Sequence, residues 1–114
     1  MQGAIIYSWT GTVPGREAAS KKLMEDSIAF SEKSVANGRI SDYAWYLSTQ
    51  GGTSFCIVRG EMETLIGALA DPELNLLNAR SGLINQNFHW GIYATGDSIP
   101  MMFEMFLATS AQVA

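Results

Sequence analysis

Ser41-Asp42-Tyr43-Ala44-Trp45-Tyr46-Leu47-Ser48 is followed by Thr49-Gln50-Gly51-Gly52-Thr53 and then Phe55-Cys56-Ile57-Val58-Arg59. Two runs rich in aromatic and β-branched residues flank a short segment built around paired glycines. That pattern predicts a β-hairpin, with Tyr43, Trp45 and Leu47 on one face of its first strand and Ala44, Tyr46 and Ser48 on the other. Upstream, Ala4–Thr10 also alternates: Ile5, Tyr7 and Trp9 point one way and Ala4, Ile6 and Ser8 the other. Downstream, Phe88–Ala94 repeats the pattern, with Phe88, Trp90 and Ile92 on one face and His89, Gly91 and Tyr93 on the other. All three tryptophans fall in these strands. A sheet with a ring-bearing face and an aliphatic face has two faces to bury, and one layer of helices covers only one. The ring-bearing face is therefore expected to lie open for another partner.

The segments between the strands change period. From about Arg16 to Ala36, Ala19, Leu23, Met24, Ser27, Ile28, Ser31 and Val35 recur at helical spacing, and Asn37-Gly38 supplies a left-handed stop. After Gly60 a second helical segment follows, with Leu65, Ile66 and Leu69 as its inner side. Asp71-Pro72-Glu73 then reads as an N-terminal signal, an acidic cap before proline at the first helical position. That helix, carrying Leu74 and Leu77, is expected to stop near Gly82. Gly96-Asp97-Ser98 breaks the last strand, and Asp97 or Ser98 is placed to cap a final helix that is apolar almost all round.

The order β-α-β-β-α(α)-β-α is that of a ferredoxin-like α+β domain: a four-stranded antiparallel sheet with helices on one face. At 114 residues the expectation is one domain over 1–114, with its core at 4–94 and an extra C-terminal helix at 98–113. Over residues 4–94 the chain resembles the dimeric α+β-barrel superfamily, the antibiotic-biosynthesis-monooxygenase-like group. The resemblance rests on element order, on Val13-Pro14-Gly15 leading into the first helix, and on Ile57-Val58-Arg59-Gly60 at the exit of the third strand. It implies a homodimer whose open sheet faces pack into a dimeric α+β barrel. The superfamily includes monooxygenases, haem-degrading enzymes and chlorite-dismutase relatives. No catalytic set of theirs carries over onto these positions.

Composition narrows the function classes. Apolar residues make up 47% of the chain and charged residues 16%, a low charged fraction that a second buried surface would accommodate. Net charge is −4, and the basic residues form no cluster beyond Lys21-Lys22, which argues against nucleic acid. The run 99–114 is apolar but too short to cross a bilayer, and no secretory leader is legible, so a cytoplasmic protein is expected. Cys56 is the single cysteine and sits in an apolar run, as a buried structural thiol does. No cofactor and no metal are expected: one histidine is too few for a multi-histidine zinc site.

The candidate catalytic residues are His89 and Arg59. His89 has the residue type for a general base or an axial haem ligand. It also has a structural reading, packed against the helix layer with one nitrogen hydrogen-bonded. Arg59 could clamp a carboxylate or stack on Trp9 or Trp45, or pair with Glu61 or Glu63. Tyr7, Trp9, Tyr43, Trp45, Phe55 and Trp90 form either a ligand pocket or a dimer face, since tryptophan and tyrosine suit both. The expected role is binding of a small apolar or aromatic ligand between two sheets. The alternatives are a cofactor-independent monooxygenase-like or isomerase-like enzyme and a purely structural assembly domain.

Overall fold

A computed structural model describes residues 1–113; Ala114, the last residue of the expected domain, lies outside the described residues. The elements in chain order are β1 (Gln2–Trp9), β2 (Gly11–Thr12), α1 (Glu17–Ala36), β3 (Asp42–Tyr46), β4 (Ser54–Glu61), α2 (Met62–Ala68), α3 (Pro72–Ile84), β5 (Asn85–Gln86), β6 (His89–Ala94) and α4 (Ser98–Val113). β3, β4, β1 and β6 form an antiparallel sheet in the order β3-β4-β1-β6, while β2 and β5 pair separately. This is the ferredoxin-like arrangement that the element order predicts.

Local chemistry accounts for the boundaries. The β3–β4 connection turns through Gly51 at φ 73°, and the Ser48 hydroxyl accepts the Gly52 N–H at 2.8 Å. α1 stops at Asn37, with Gly38 in the left-handed region at φ 78°. The Asp71 carboxylate caps α3 by accepting the Glu73 N–H at 2.8 Å, and Pro72 opens the helix. That bond, followed by the Arg39 guanidinium at 2.8 Å, holds the Asp71 carboxyl below the usual carboxylate range. α3 runs past Gly82 to Ile84, further than expected, because Leu77 and Ile84 pack with Leu23 of α1 into one buried cluster. One glycine costs about 1 kcal/mol of helix propensity, less than that packing contributes.

Two expectations need correction. The first is the dimeric α+β barrel: among the described residues the four-stranded sheet is open, with β3 and β6 as its edges, and no closed barrel is present. Closure requires more strands, each tilted and staggered, than four can supply. The second concerns which face the helices cover. Residues opposite one another on antiparallel strands share a face. Ile5 lies opposite Val58 and Ile92, Tyr7 opposite Cys56 and Trp90, and Cys56 opposite Trp45. Ile5, Tyr7, Trp9, Trp45, Cys56 and Val58 line the same space as residues of α1 and α3, so the ring-bearing face is covered by the chain's own helices.

The opposite face is the open one. Its rows are Ala4 with Arg59 and Tyr93, Ile6 with Ile57 and Gly91, and Ser8 with Phe55 and His89. The helix side of the arrangement explains the choice of face. Ser20, Ser27, Ser31 and Ser34 of α1 and Ser81 of α3 point inward, while Ile28 and Val35, expected inside, are exposed. Small side chains on the helices leave room for large rings on the sheet. α2 turns Leu65 fully inside at 0% exposure and leaves Ile66 exposed. α4 stands largely clear of the rest, in a molecule measuring 53 × 32 × 24 Å. No helix among the described residues is long and apolar enough to cross a membrane.

Candidate functional site

Between the sheet and the α1–α3 layer lies a cavity of about 110 Å³. Its floor is Tyr7, Trp9 and Trp45 on the strands, with Phe88 just before β6. Its roof is the inward face of α1 and α3. The cavity follows from the serines, because a side chain with one heavy atom beyond Cβ does not reach the sheet. Their hydroxyls are partly consumed locally: Ser34 Oγ donates to the Phe30 carbonyl and Ser81 Oγ to the Leu77 carbonyl, both at 2.8 Å. Ser20 Oγ accepts from Thr12 Oγ1 at 3.2 Å. The volume is of the order that holds a single-ring molecule, roughly the 150 Å³ at which an engineered apolar cavity takes up benzene.

The rings are mutually arranged. Trp9 and Trp45 meet edge to face, with centroids 5.7 Å apart and planes at 71°. Tyr7 stacks on Phe88 at 6.1 Å and tilts against Trp90 at 6.4 Å. The Trp45 indole Nε1 is buried and has no hydrogen-bond partner. Such a group costs about 1–3 kcal/mol relative to a satisfied one, and it belongs to a ring that lines the cavity.

Burial pushes the Tyr7 phenol up to about 12, the neighbouring Cys56 adding to the effect and the Asn78 side chain opposing it. Tyr7 is therefore a neutral hydroxyl and a proton donor rather than a base. Burial likewise pushes the Cys56 thiol up to about 12, which makes it an unreactive core group. Among the side chains that line the cavity, Arg39 carries the charge; it is exposed at the edge, with Asp71 at 2.8 Å.

The other sequence candidates are distributed differently. Tyr43 is on the cavity side of the sheet but donates its hydroxyl to the Glu32 carboxylate outside the cavity; that bond, ahead of desolvation, raises its pKa. Trp90 is on the same face at the β6 edge, partly exposed, and touches Tyr7 without lining the cavity. Phe55 lies on the open face, since Tyr7 is opposite Cys56 and not Phe55. His89, expected to pack toward the helices, is opposite Ser8 and exposed on the open face. Arg59 shares that face and reaches Asp42 through both carboxylate oxygens, at 2.7 and 3.0 Å, rather than Glu61 or Glu63. The Asp42 bond raises the Arg59 pKa. The cavity thus unites Tyr7, Trp9 and Trp45 and excludes His89 and Arg59.

Sequence reasoning missed Asn78, Ser81 and Arg39 as lining residues. The legible signal was the set of serines at helical spacing in 20–34, a stripe too small to fill a sheet–helix interface.

No family model matches the chain, and no curated protein matches it in sequence. Solved structures do match in shape. Rv0793 from Mycobacterium tuberculosis is similar over 85% of this chain and 97% of its own, with a TM-score of 0.67 and 19% identity. SnoaB from Streptomyces nogalater, a cofactor-independent oxygenase, is similar over 87% and 97%, with a TM-score of 0.64 and 13% identity. A dimeric ferredoxin-like protein of unknown function from Jannaschia sp. CCS1 is similar over 83% and 100%, with a TM-score of 0.62 and 8% identity. At such identities the likeness establishes shape and not activity: the chain has the ferredoxin-like fold that these proteins share.

Proposed function

We propose that this chain binds a small planar molecule, apolar or aromatic and bearing one hydrogen-bond acceptor, in the cavity between its sheet and its helices. The observation that carries this reading is the Trp45 Nε1–H, buried without a partner in a ring that lines the cavity. A small turn of the indole on ligand entry would bring it to a ligand carbonyl or ether oxygen, while Tyr7 and Trp9 supply ring surface. The pocket lies under the helices rather than between two sheets. The working unit is a homodimer, a reading supported by Ile6, Phe55 and Ile57 on the open face and by dimeric proteins of the same fold. The single unpaired Cys56 fits a cytoplasmic setting.

The test compares acetophenone with ethylbenzene, which offer similar shapes with and without an acceptor. Binding is followed by tryptophan fluorescence and by amide shifts of cavity residues. A net hydrogen bond of about 0.5–1.5 kcal/mol gives acetophenone roughly a 2- to 12-fold advantage. Trp45→Phe should remove that preference while retaining ethylbenzene. Equal affinity of the two probes for the unmodified protein, or no shifts at cavity residues with either, rejects the reading.

A monooxygenase-like or isomerase-like reaction on the bound molecule is the second reading. It is favoured by the fold shared with the oxygenase SnoaB and by a cavity that holds Tyr7 as a neutral donor and has the charged Arg39 at its edge. The protein would contribute desolvation and orientation to an electron-rich substrate. Dioxygen uptake with a dihydroxybenzene that disappears in Tyr7→Phe supports it. Uptake no faster than in buffer rejects it for that substrate class.

A further inference from the structure

The charge around the cavity has one sign. Among the described residues no aspartate or glutamate lines it, and Arg39 is the cation that does. Arg39 also stands at a boundary. Its backbone is fixed just past Gly38, where the Arg39 N–H donates to the Ser34 carbonyl at 2.9 Å. Its side chain borders the cavity on one side and, on the other, an open surface depression at the junction of α2 and α3. Thr64, Gly67, Asp71 and Pro72 complete that depression, and Arg39 and Ala68 are common to both spaces.

The guanidinium is held there without being saturated. Nη1 donates to Asp71 Oδ2 at 2.8 Å, while Nε and Nη2 have no hydrogen-bond partner among the described residues. Arg59 shows the contrast, since its Nε and Nη2 both reach Asp42. Asp71 does not depend on Arg39 either: its Oδ1 accepts the Glu73 N–H at 2.8 Å as the cap of α3. Asp71 thus anchors the guanidinium and leaves free its Nε–Nη2 edge, which can grip a carboxylate through two parallel bonds.

We propose that the ligand of the cavity is an aromatic acid, its ring enclosed between sheet and helices and its carboxylate held by Arg39 at the rim. This rests on the binding reading above and adds a second point of recognition to the acceptor that meets Trp45. Size divides the ligand in this way, because about 110 Å³ accommodates one ring and little more. Solvation agrees: the Arg39 side chain is 50% exposed. A carboxylate beside it keeps part of its water and escapes the cost of full burial, while the ring leaves water altogether. A cationic ring of the same shape would meet Arg39 as a like charge.

The experiment titrates the full chain with 4-acetylbenzoate and with 4-acetylbenzamide, its uncharged counterpart of the same shape, at low and high salt. The acid should bind roughly 3- to 10-fold more tightly at low salt, as a half-exposed charge-assisted contact gives. The advantage should shrink at high salt and vanish in Arg39→Gln, with the amide still bound as before. Asp71→Asn keeps a capping side chain but removes the competing carboxylate, so the preference for the acid should widen. Equal affinities in the unmodified protein, or a preference that survives Arg39→Gln, overturn the Arg39 contact and leave the cavity reading standing. Should Arg39→Gln not fold, an acid preference that neither salt nor Asp71→Asn changes overturns it equally. Acid-induced amide shifts at Arg39 with none at Tyr7 or Trp45 mean a surface contact only, and also overturn it. If acetophenone, the amide and the acid all fail to bind, the cavity reading itself falls and takes this one with it.

Discussion

Replacing Ser31 by leucine tests directly whether the sheet–helix space is empty. Ser31 is buried on the inner face of α1 and borders the 110 Å³ cavity. A leucine there adds two heavy atoms beyond those of serine and removes a hydroxyl. If the space is open, the side chain buries at the usual gain of about 1.5–3 kcal/mol. Helix propensity adds a few tenths of a kcal/mol, because leucine outranks serine in helix interiors. Allowing for lost rotamer freedom of about 0.5–1 kcal/mol, net stabilisation is about 1–2 kcal/mol. For a domain of this length that raises the thermal midpoint by roughly 4–10 °C. If the space is already filled, the same substitution overpacks the core and costs about 1–3 kcal/mol. The two cases differ in sign. Denaturant unfolding with unchanged m-value, at several protein concentrations so that assembly does not confound the midpoint, reads the difference. Acetophenone binding should vanish in the same variant. A destabilised Ser31→Leu, or one that still binds the probe with unchanged affinity, refutes the cavity argument.

Alkaline stability should report Tyr7. Its folded pKa is raised from 10.0 to about 12, so the folded state holds a proton that the unfolded state releases in that window. The contribution, about 2–3 kcal/mol, is fully present below pH 10 and is lost as pH rises toward 12. Tyr7→Phe should flatten the fall in denaturation midpoint above pH 10, with the remaining slope from Cys56 beginning nearer its ordinary 9.0; an unchanged profile would contradict the assignment. Leu65→Ala should cost about 2–5 kcal/mol by chemical denaturation, since the side chain is 0% exposed beneath α2. A loss below 1 kcal/mol would mean that α2 is not docked as described.

Much of the fold was legible because its determinants are local. The Gly51-Gly52 segment, the Asp71-Pro72-Glu73 cap and the Asn37-Gly38 stop act within a few residues, and each falls at the boundary it signals. β2 and β5 were not legible, because two-residue strands have no period to detect. The candidate site was legible only in part. Tyr7, Trp9 and Trp45 share a face, as alternation requires, but Phe55 does not join them. Strand membership is a local property, whereas the pairing of Tyr7 with Cys56 is a register between residues distant in sequence.

By itself the sequence determined the element order, the caps and which residues within each strand lie together. Only the tertiary structure decided which sheet face the helices cover, and hence that the rings line a cavity inside the chain while His89 and Arg59 face outward. The physical reason is that a period of two is symmetric between faces. The symmetry is broken by volume matching across layers, here large rings of β1 and β3 against the small serines of α1 and α3, and that match exists only once the chain has folded.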